Sequence, residues 1–203
     1  MLHKLFARNN KNEASEAPER LNPKERRRAV QGSTAAGLAA RLLIAPTALM
    51  QLSAEEALTV VSYMTPRKIP MDTTFITEGD TTDTAYMLLL LDGEVTIESI
   101  VVSRHDPVTV TVLGPGSLIG EMGLVDGQAR MASCTATTDV SCAMLSRAAL
   151  EQLSDDEPRT AAKLMFAVAL RIADRLRETA ERLKLYSQLT QAMQQEIDHL
   201  MPT

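Results

Sequence analysis

The chain has 203 residues, of which 45% are hydrophobic and 23% charged, with a net charge of -5. That is enough apolar material for one well-filled domain with extensions. Residues 1–31 hold 8 Lys and Arg against 4 Asp and Glu, residues 32–157 hold 6 against 17, and residues 158–203 hold 7 against 5. So acidic a middle would repel a nucleic-acid backbone and is expected to be a poor nucleic-acid binder.

The N-terminus, Met1-Leu-His-Lys-Leu-Phe6, lacks the apolar core of a secretory leader, so a cytoplasmic location is expected. The longest apolar candidate, Ala35 to Leu52, is interrupted by Arg41 and Pro46, and no transmembrane helix is predicted. Residues 7–31 are rich in charge and amides and poor in large apolar side chains. A disordered or weakly helical basic arm is expected over residues 1–33. Leu2, Leu5 and Phe6 ahead of it form a small apolar patch.

Residues 34–64 turn helical. Leu38, Arg41, Leu42 and Ala45 precede the breaker Pro46, and Ser53 with Glu56 reads as a capping box ahead of Leu58, Val61 and Met64. At Thr65-Pro66 the chain changes to short β-prone runs separated by turn residues, continuing to about Leu145. Seven of the nine glycines lie between Gly79 and Gly127, which places the tight turns there. Asp92-Gly93, between Tyr86–Leu91 and Glu94–Val102, predicts a two-residue hairpin. Val108, Val110 and Val112 alternate with Thr109 and Thr111, and Ala132, Cys134 and Ala136 with Ser133, Thr135 and Thr137, so each run should have one face in and one out. Strands at this spacing predict an antiparallel barrel or jelly roll with helices at either end, an α+β fold spanning residues 65–157. Cys134 and Cys142 lie in apolar strand sequence and read as small buried residues, with a disulfide the alternative.

Ser146–Leu153 forms a short predicted helix, and Ser154-Asp-Asp-Glu-Pro158 starts another. From Arg159 to Met201 there is neither Gly nor Pro. One helix over residues 158–203 carries a heptad seam through Ala162, Met165, Ala169, Ile172, Leu176, Thr179, Leu183, Tyr186, Thr190, Met193, Ile197 and Leu200, which predicts a homodimer through this helix.

The residues that carry chemistry lie between Leu118 and Ser133. Glu121 follows a glycine at the head of a short apolar run, and Arg130 comes nine residues later, ahead of Ala132-Ser133. Unpaired N–H groups at a helix start suit an anion, and Arg130 offers a planar, always-charged fork for a phosphate. Glu121 would repel a phosphate but can accept from a hydroxyl beside it. The predicted ligand therefore carries both a phosphate and a sugar hydroxyl. The alternative for Glu121 and Arg130 is a mutual ion pair bracing the turn. His3, His105 and His199 are scattered without metal-ligand spacing or a nucleophile–base set, so no enzyme is expected, and neither metal nor cofactor.

Phe75-Ile-Thr-Glu-Gly-Asp80, Leu91-Asp-Gly-Glu-Val-Thr-Ile97, Leu113-Gly-Pro-Gly-Ser-Leu-Ile-Gly-Glu-Met-Gly-Leu124 and Ala129-Arg-Met-Ala-Ser133 occur in this order. Together they resemble the cyclic nucleotide-binding domain over roughly residues 55–185. The resemblance implies a phosphate-binding cassette of Gly120, Glu121 and Arg130, with Glu121 on the ribose 2′-hydroxyl and Arg130 on the cyclic phosphate. Backbone N–H groups near Met122 and Ala132 would complete the cradle. Met131 stands where the family often has Ser, Thr or Ala. A Thr hydroxyl there accompanies guanine preference, so Met131 favours cAMP over cGMP as ligand. The family's bacterial regulators continue into a helix-turn-helix, and no such sequence follows the long helix here, so no direct DNA binding is expected. The expected output is a stand-alone receptor signalling through its C-terminal helix to an unidentified protein partner. The alternative is a nucleotide-independent interaction module on the same fold.

Overall fold

In the computed structural model of the chain, the described residues are 22–46, 48–49, 51–100 and 107–200, with the side chains of 99–100, 107–110 and 198–200 left aside. Helices α1 (Pro23–Val30), α2 (Thr34–Leu43) and α3 (Ala54–Val61) precede the strands β1 (Thr65–Ile69), β2 (Thr74–Ile76), β3 (Tyr86–Asp92), β4 (Val95–Ile100), β5 (Pro107–Leu113) and β6 (Leu118–Ile119). Helix α4 (Glu121–Asp126) is followed by β7 (Ser133–Ala136), β8 (Val140–Ser146), α5 (Arg147–Asp156) and α6 (Pro158–Leu200).

The strands form two four-stranded antiparallel sheets, ordered β1-β8-β3-β6 and β2-β7-β4-β5. This is the jelly-roll order expected from the sequence. The Asp92-Gly93 expectation is corrected, because β3 pairs with β8 and β6, whereas β4 pairs with β5 and β7. The glycine turn carries the chain from one sheet to the other instead of closing a hairpin. Gly93 has a φ of 89°, and a Cβ there would lie 2.5 Å from the Asp139 carbonyl oxygen. That oxygen belongs to the corner where β7 crosses to β8, and the two crossing corners are pinned together: Glu94 N–H donates to Thr138 Oγ1 at 2.9 Å and Thr137 N–H to the Glu94 carbonyl at 3.0 Å.

β3 is buried on both faces, which explains its unbroken apolar run. Met87 and Leu89 join a core with α2, α3 and α6, while Tyr86, Leu88 and Leu90 face the opposite sheet beside Ile97, Cys134 and Cys142. Both cysteines are free and buried. Cys134 and Ala136 point inward as the alternation predicts, but Val112 is 56% exposed. In the β4–β5 register the buried Ile97 opposes Thr111 and the buried Val95 opposes Leu113, so Thr111 and Leu113 share the inner face and Val112 turns outward. Val108 and Val110 lie outside the described side chains.

Helix α3 begins with the predicted box: Glu56 N–H donates to Ser53 Oγ at 3.2 Å, and Ser53 N–H to Glu56 Oε2 at 2.9 Å. For the basic N-terminal segment the expectation is a disordered or weakly helical arm, and its described part includes one short helix. Pro23–Val30 form α1, opened by an Asn22/Glu25 capping box with Pro23 in the first turn. Such local capping offsets poor apolar content. Residues 1–21, including Leu2, Leu5 and Phe6, lie outside the described residues.

Helix α6 runs 43 residues, a rod of roughly 65 Å. Its first turns bury Thr160, Ala161, Leu164, Ala167 and Val168 against the helical core. Of the proposed seam, Met165 and Ile172 are half-buried there, while Ala162 and Ala169 are exposed. Beyond the roll, Leu176, Leu183, Tyr186, Met193 and Ile197 stay 45–70% exposed. Among the described residues no helix is long and apolar enough to cross a membrane.

Candidate ligand site

The cassette is built on a bend only glycine fits. Gly120 has φ 78° and ψ 15° and caps α4, so Glu121 leaves the sheet pointing inward. A Cβ on Gly120 would lie 2.5 Å from Arg130 Nη1, and one on Gly123 would lie 2.5 Å from the Thr84 carbonyl oxygen. The bare edge of α4 thus lets the arginine lie flat beside it.

Arg130 is 6% exposed. Its Nη1 donates to the carbonyls of Gly120 at 3.2 Å and Tyr86 at 3.4 Å, and its Nη2 to Asp83 at 3.2 Å and Tyr86 at 3.4 Å. Its guanidinium carbon sits 4.4 Å from the centre of the Tyr86 ring, a cation–π stack that fixes the plane. Nε is buried and has no hydrogen-bond partner. No ion pair among the described residues includes Arg130. A buried cation held by carbonyl dipoles, with one donor unpaired among the described residues, is chemically suited to an anion.

Glu121 is buried at 1% exposure, and its carboxylate pairs with Arg175 of α6. The alternative of a mutual Glu121–Arg130 pair is therefore not what the chain adopts. The carboxylate instead ties the cassette to the long helix. Burial pushes the Tyr86 phenol up, with nearby Arg130 opposing the shift. Burial also pushes the Cys134 thiol up to about 12, so the cavity wall there is neutral and does not repel an anion.

Gly120, Glu121, Met122, Arg130, Met131 and Ala132 all line one cavity of about 480 Å³, within the ~300–1,000 Å³ usual for small-molecule sites. Its floor is apolar, from Ile76, Ile97 and Ile119 of the roll, and α6 closes the far side with Ile172, Arg175, Leu176 and Thr179. Met131 is 71% exposed at the mouth. The residues that sequence reading did not assign are those on α6. Arg175 is one of many cations on a solvated helix, and nothing local distinguishes it. Thr179 occupies only a seam position in the heptad pattern. Tyr86, the stacking partner of Arg130, read as an ordinary strand residue.

A jelly roll with a buried arginine at a glycine bend, an acid beside it and a helix closing the far side encloses a cavity of small-ligand size. The sequence profile of the cyclic nucleotide-binding domain matches residues 66–157. A cyclic nucleotide-binding domain from Methylobacillus flagellatus KT is 31% identical, with a TM-score of 0.64 over 74% of this chain and 83% of that one. The catabolite activator protein of Thermus thermophilus is 29% identical, with a TM-score of 0.60 over 72% of this chain and 63% of that one. A cyclic nucleotide-gated potassium channel of Rhizobium etli is 29% identical over 120 residues, 59% of this chain but 31% of the channel. The chain belongs to the cyclic nucleotide-binding domain family.

Proposed function

We propose that this protein is a receptor for a cyclic mononucleotide, cAMP in preference to cGMP, and that it signals through α6. The observation that carries the reading is Arg130, a buried cation without a carboxylate partner among the described residues, facing a cavity that fits a small ligand. The cyclic phosphate would take the arginine's charge, with the backbone near Met122 and Ala132 completing the cradle. Glu121 would accept from the ribose 2′-hydroxyl, and the base would lie between the isoleucines of the roll and Ile172 and Leu176 of α6.

Two features favour adenine. Met131 brings no hydroxyl to the guanine edge. Thr179 donates its hydroxyl proton to the Arg175 carbonyl at 2.8 Å, so what it offers a base is an acceptor, suited to the 6-amino group of adenine and not to the 6-carbonyl of guanine. The domain's role here is binding and regulation, without chemistry on the ligand.

Because α4 and α6 both bound the cavity, a ligand that touches both binds one position of α6 better than others and so shifts its population. The 2′-hydroxyl would share Glu121 with Arg175, the group that joins α6 to the cassette. The exposed heptad stripe from Leu176 to Ile197 fits a second copy of the chain, because its spacing continues the pattern of a two-stranded coil beyond the roll. A cytoplasmic protein partner would read the position of this helix.

Calorimetric titration with cAMP and with cGMP tests the proposal. Binding of cAMP is expected to be tighter, and Arg130→Ala should weaken it by roughly one to two decades, since a hydrogen bond to a charged group contributes about 1.5–3 kcal/mol. No heat with either nucleotide from a folded chain would overturn the reading and leave the nucleotide-independent interaction module.

A further inference from the structure

The cyclic nucleotide-binding profile spans residues 66–157, and helix α1, which lies outside it, touches the profile's last residue. Helices α5 and α6 are separated by a single residue, Glu157, with φ -140° and ψ 63°. Its N–H donates to the Leu153 carbonyl at 2.8 Å, and its carbonyl accepts from Ala161 N–H at 3.0 Å, so it ends one helix and opens the next. Pro158 follows and has no N–H to add. Any swing of α6 relative to α5 pivots on this residue.

Helix α1 grips that pivot. Arg27 Nη2 pairs with Glu157 Oε1 at 2.6 Å. One residue earlier, Arg26 Nη2 donates to Gln152 Oε1 of α5 at 2.7 Å, and its guanidinium carbon lies 4.6 Å over the Tyr63 ring. The Tyr63 hydroxyl donates in turn to Asp156 Oδ2, on the last residue of α5, at 2.8 Å. Two consecutive arginines therefore hold the joint residue and the end of α5 beside it, Arg27 on Glu157 and Arg26 on Gln152 directly and on Asp156 through Tyr63.

The hold is of a particular kind. No residue of α1 is buried, and Val30 alone packs partly on the core. Eight residues are too few for a stable isolated helix. Docking and helix formation in α1 are thus coupled through partly exposed charges, which salt screens. Such an element has two states, docked helix or released chain, with little free energy between them.

We propose that α1 is a detachable electrostatic clasp on the α5–α6 joint, which restrains α6 when docked and frees it when released. Helix α6 supplies Arg175, Leu176 and Thr179 to the cavity wall, so the clasp sets how firmly that wall is held. It gives the basic N-terminal segment a function independent of which ligand enters the cavity. Anything that competes for Arg26 and Arg27, including added salt, releases it.

Hydrogen exchange on the full chain without nucleotide tests the clasp separately from ligand recognition. Arg27→Glu should raise exchange several-fold both in α1 and across residues 153–164, and Glu157→Arg should do the same. The double exchange, Arg27→Glu with Glu157→Arg, should return both segments toward the original rates. Raising salt from low to high concentration should reproduce the single-variant pattern in the unaltered chain, a measurement that holds even if a variant folds poorly. The proposal is overturned if residues 153–164 keep their rates once α1 exchanges freely, if α1 itself is unaffected, or if the charge swap restores nothing.

Discussion

Arg130 and Glu121 sit 9 residues apart in the chain and act on opposite ends of the same bend, yet they do not neutralise each other. Arg130 is held by carbonyls and a ring, and Glu121 by Arg175. In the proposed function this division would leave one cation and one acceptor for a ligand bearing phosphate and hydroxyl. The consequence is a ligand-based test: 2′-deoxy-cAMP should bind about tenfold or more weaker than cAMP, the size of one hydrogen bond to a charged group. In Glu121→Ala that preference should disappear, as titration of both ligands against both chains would reveal. Gly120 is the other sensitive residue. At φ 78°, with a Cβ destined for 2.5 Å from Arg130 Nη1, Gly120→Ala should destabilise the fold by about 1–3 kcal/mol through backbone strain. The same change should displace Arg130 and weaken cAMP binding, so thermal melting and titration should move together.

Two elements decide the architecture more than the rest. One is the crossing turn at Asp92-Gly93, where a sequence typical of a hairpin directs its flanking strands into different sheets. The other is α6, which changes environment along its length: its first turns complete the helical core and its later turns leave the roll. A second copy of the chain on the outer stripe is the proposed cover. Substituting Glu for Leu183 and Tyr186 together puts charge into that stripe without touching any buried contact. Sedimentation equilibrium should then show a dimer becoming a monomer, with thermal stability of the roll nearly unchanged. An unaltered mass would exclude this stripe as the dimer contact.

At the scale of the whole molecule, the sheets close over a core that contains one cysteine from each. Cys134 and Cys142 belong to the same inter-sheet cluster but remain free. Burial raises both thiols, Cys134 to about 12. A thiol whose pKa is raised is protonated below that value, so at pH 8 neither is expected to react with a disulfide reagent in the folded chain. Denaturant should release both at once if the roll opens as one unit, and a stepwise release would show the two sheets parting from other structure separately.

Much of this organisation was legible in the chain. Glycine placement marked the roll, the Ser53/Glu56 pair marked α3, and the proline at 158 with the breaker-free run behind it marked α6. Those features work through bonds within a few residues, so a local reading suffices. The gathering of Gly120, Glu121 and Arg130 at one place was legible too, since these residues are constrained by backbone conformation and charge type as well as by position. What only the tertiary structure decided involves partners far apart in sequence. The sheet to which β4 belongs depends on β5 and β7 together, and the inward face of β5 depends on its register with β4, a choice that alternating valines and threonines did not make. Arg175 acquires its meaning from a carboxylate 54 residues away, and α1 from a joint 130 residues away. Long-range pairing of surface-type charges leaves no periodicity or motif, because nothing near either residue changes when the pair forms.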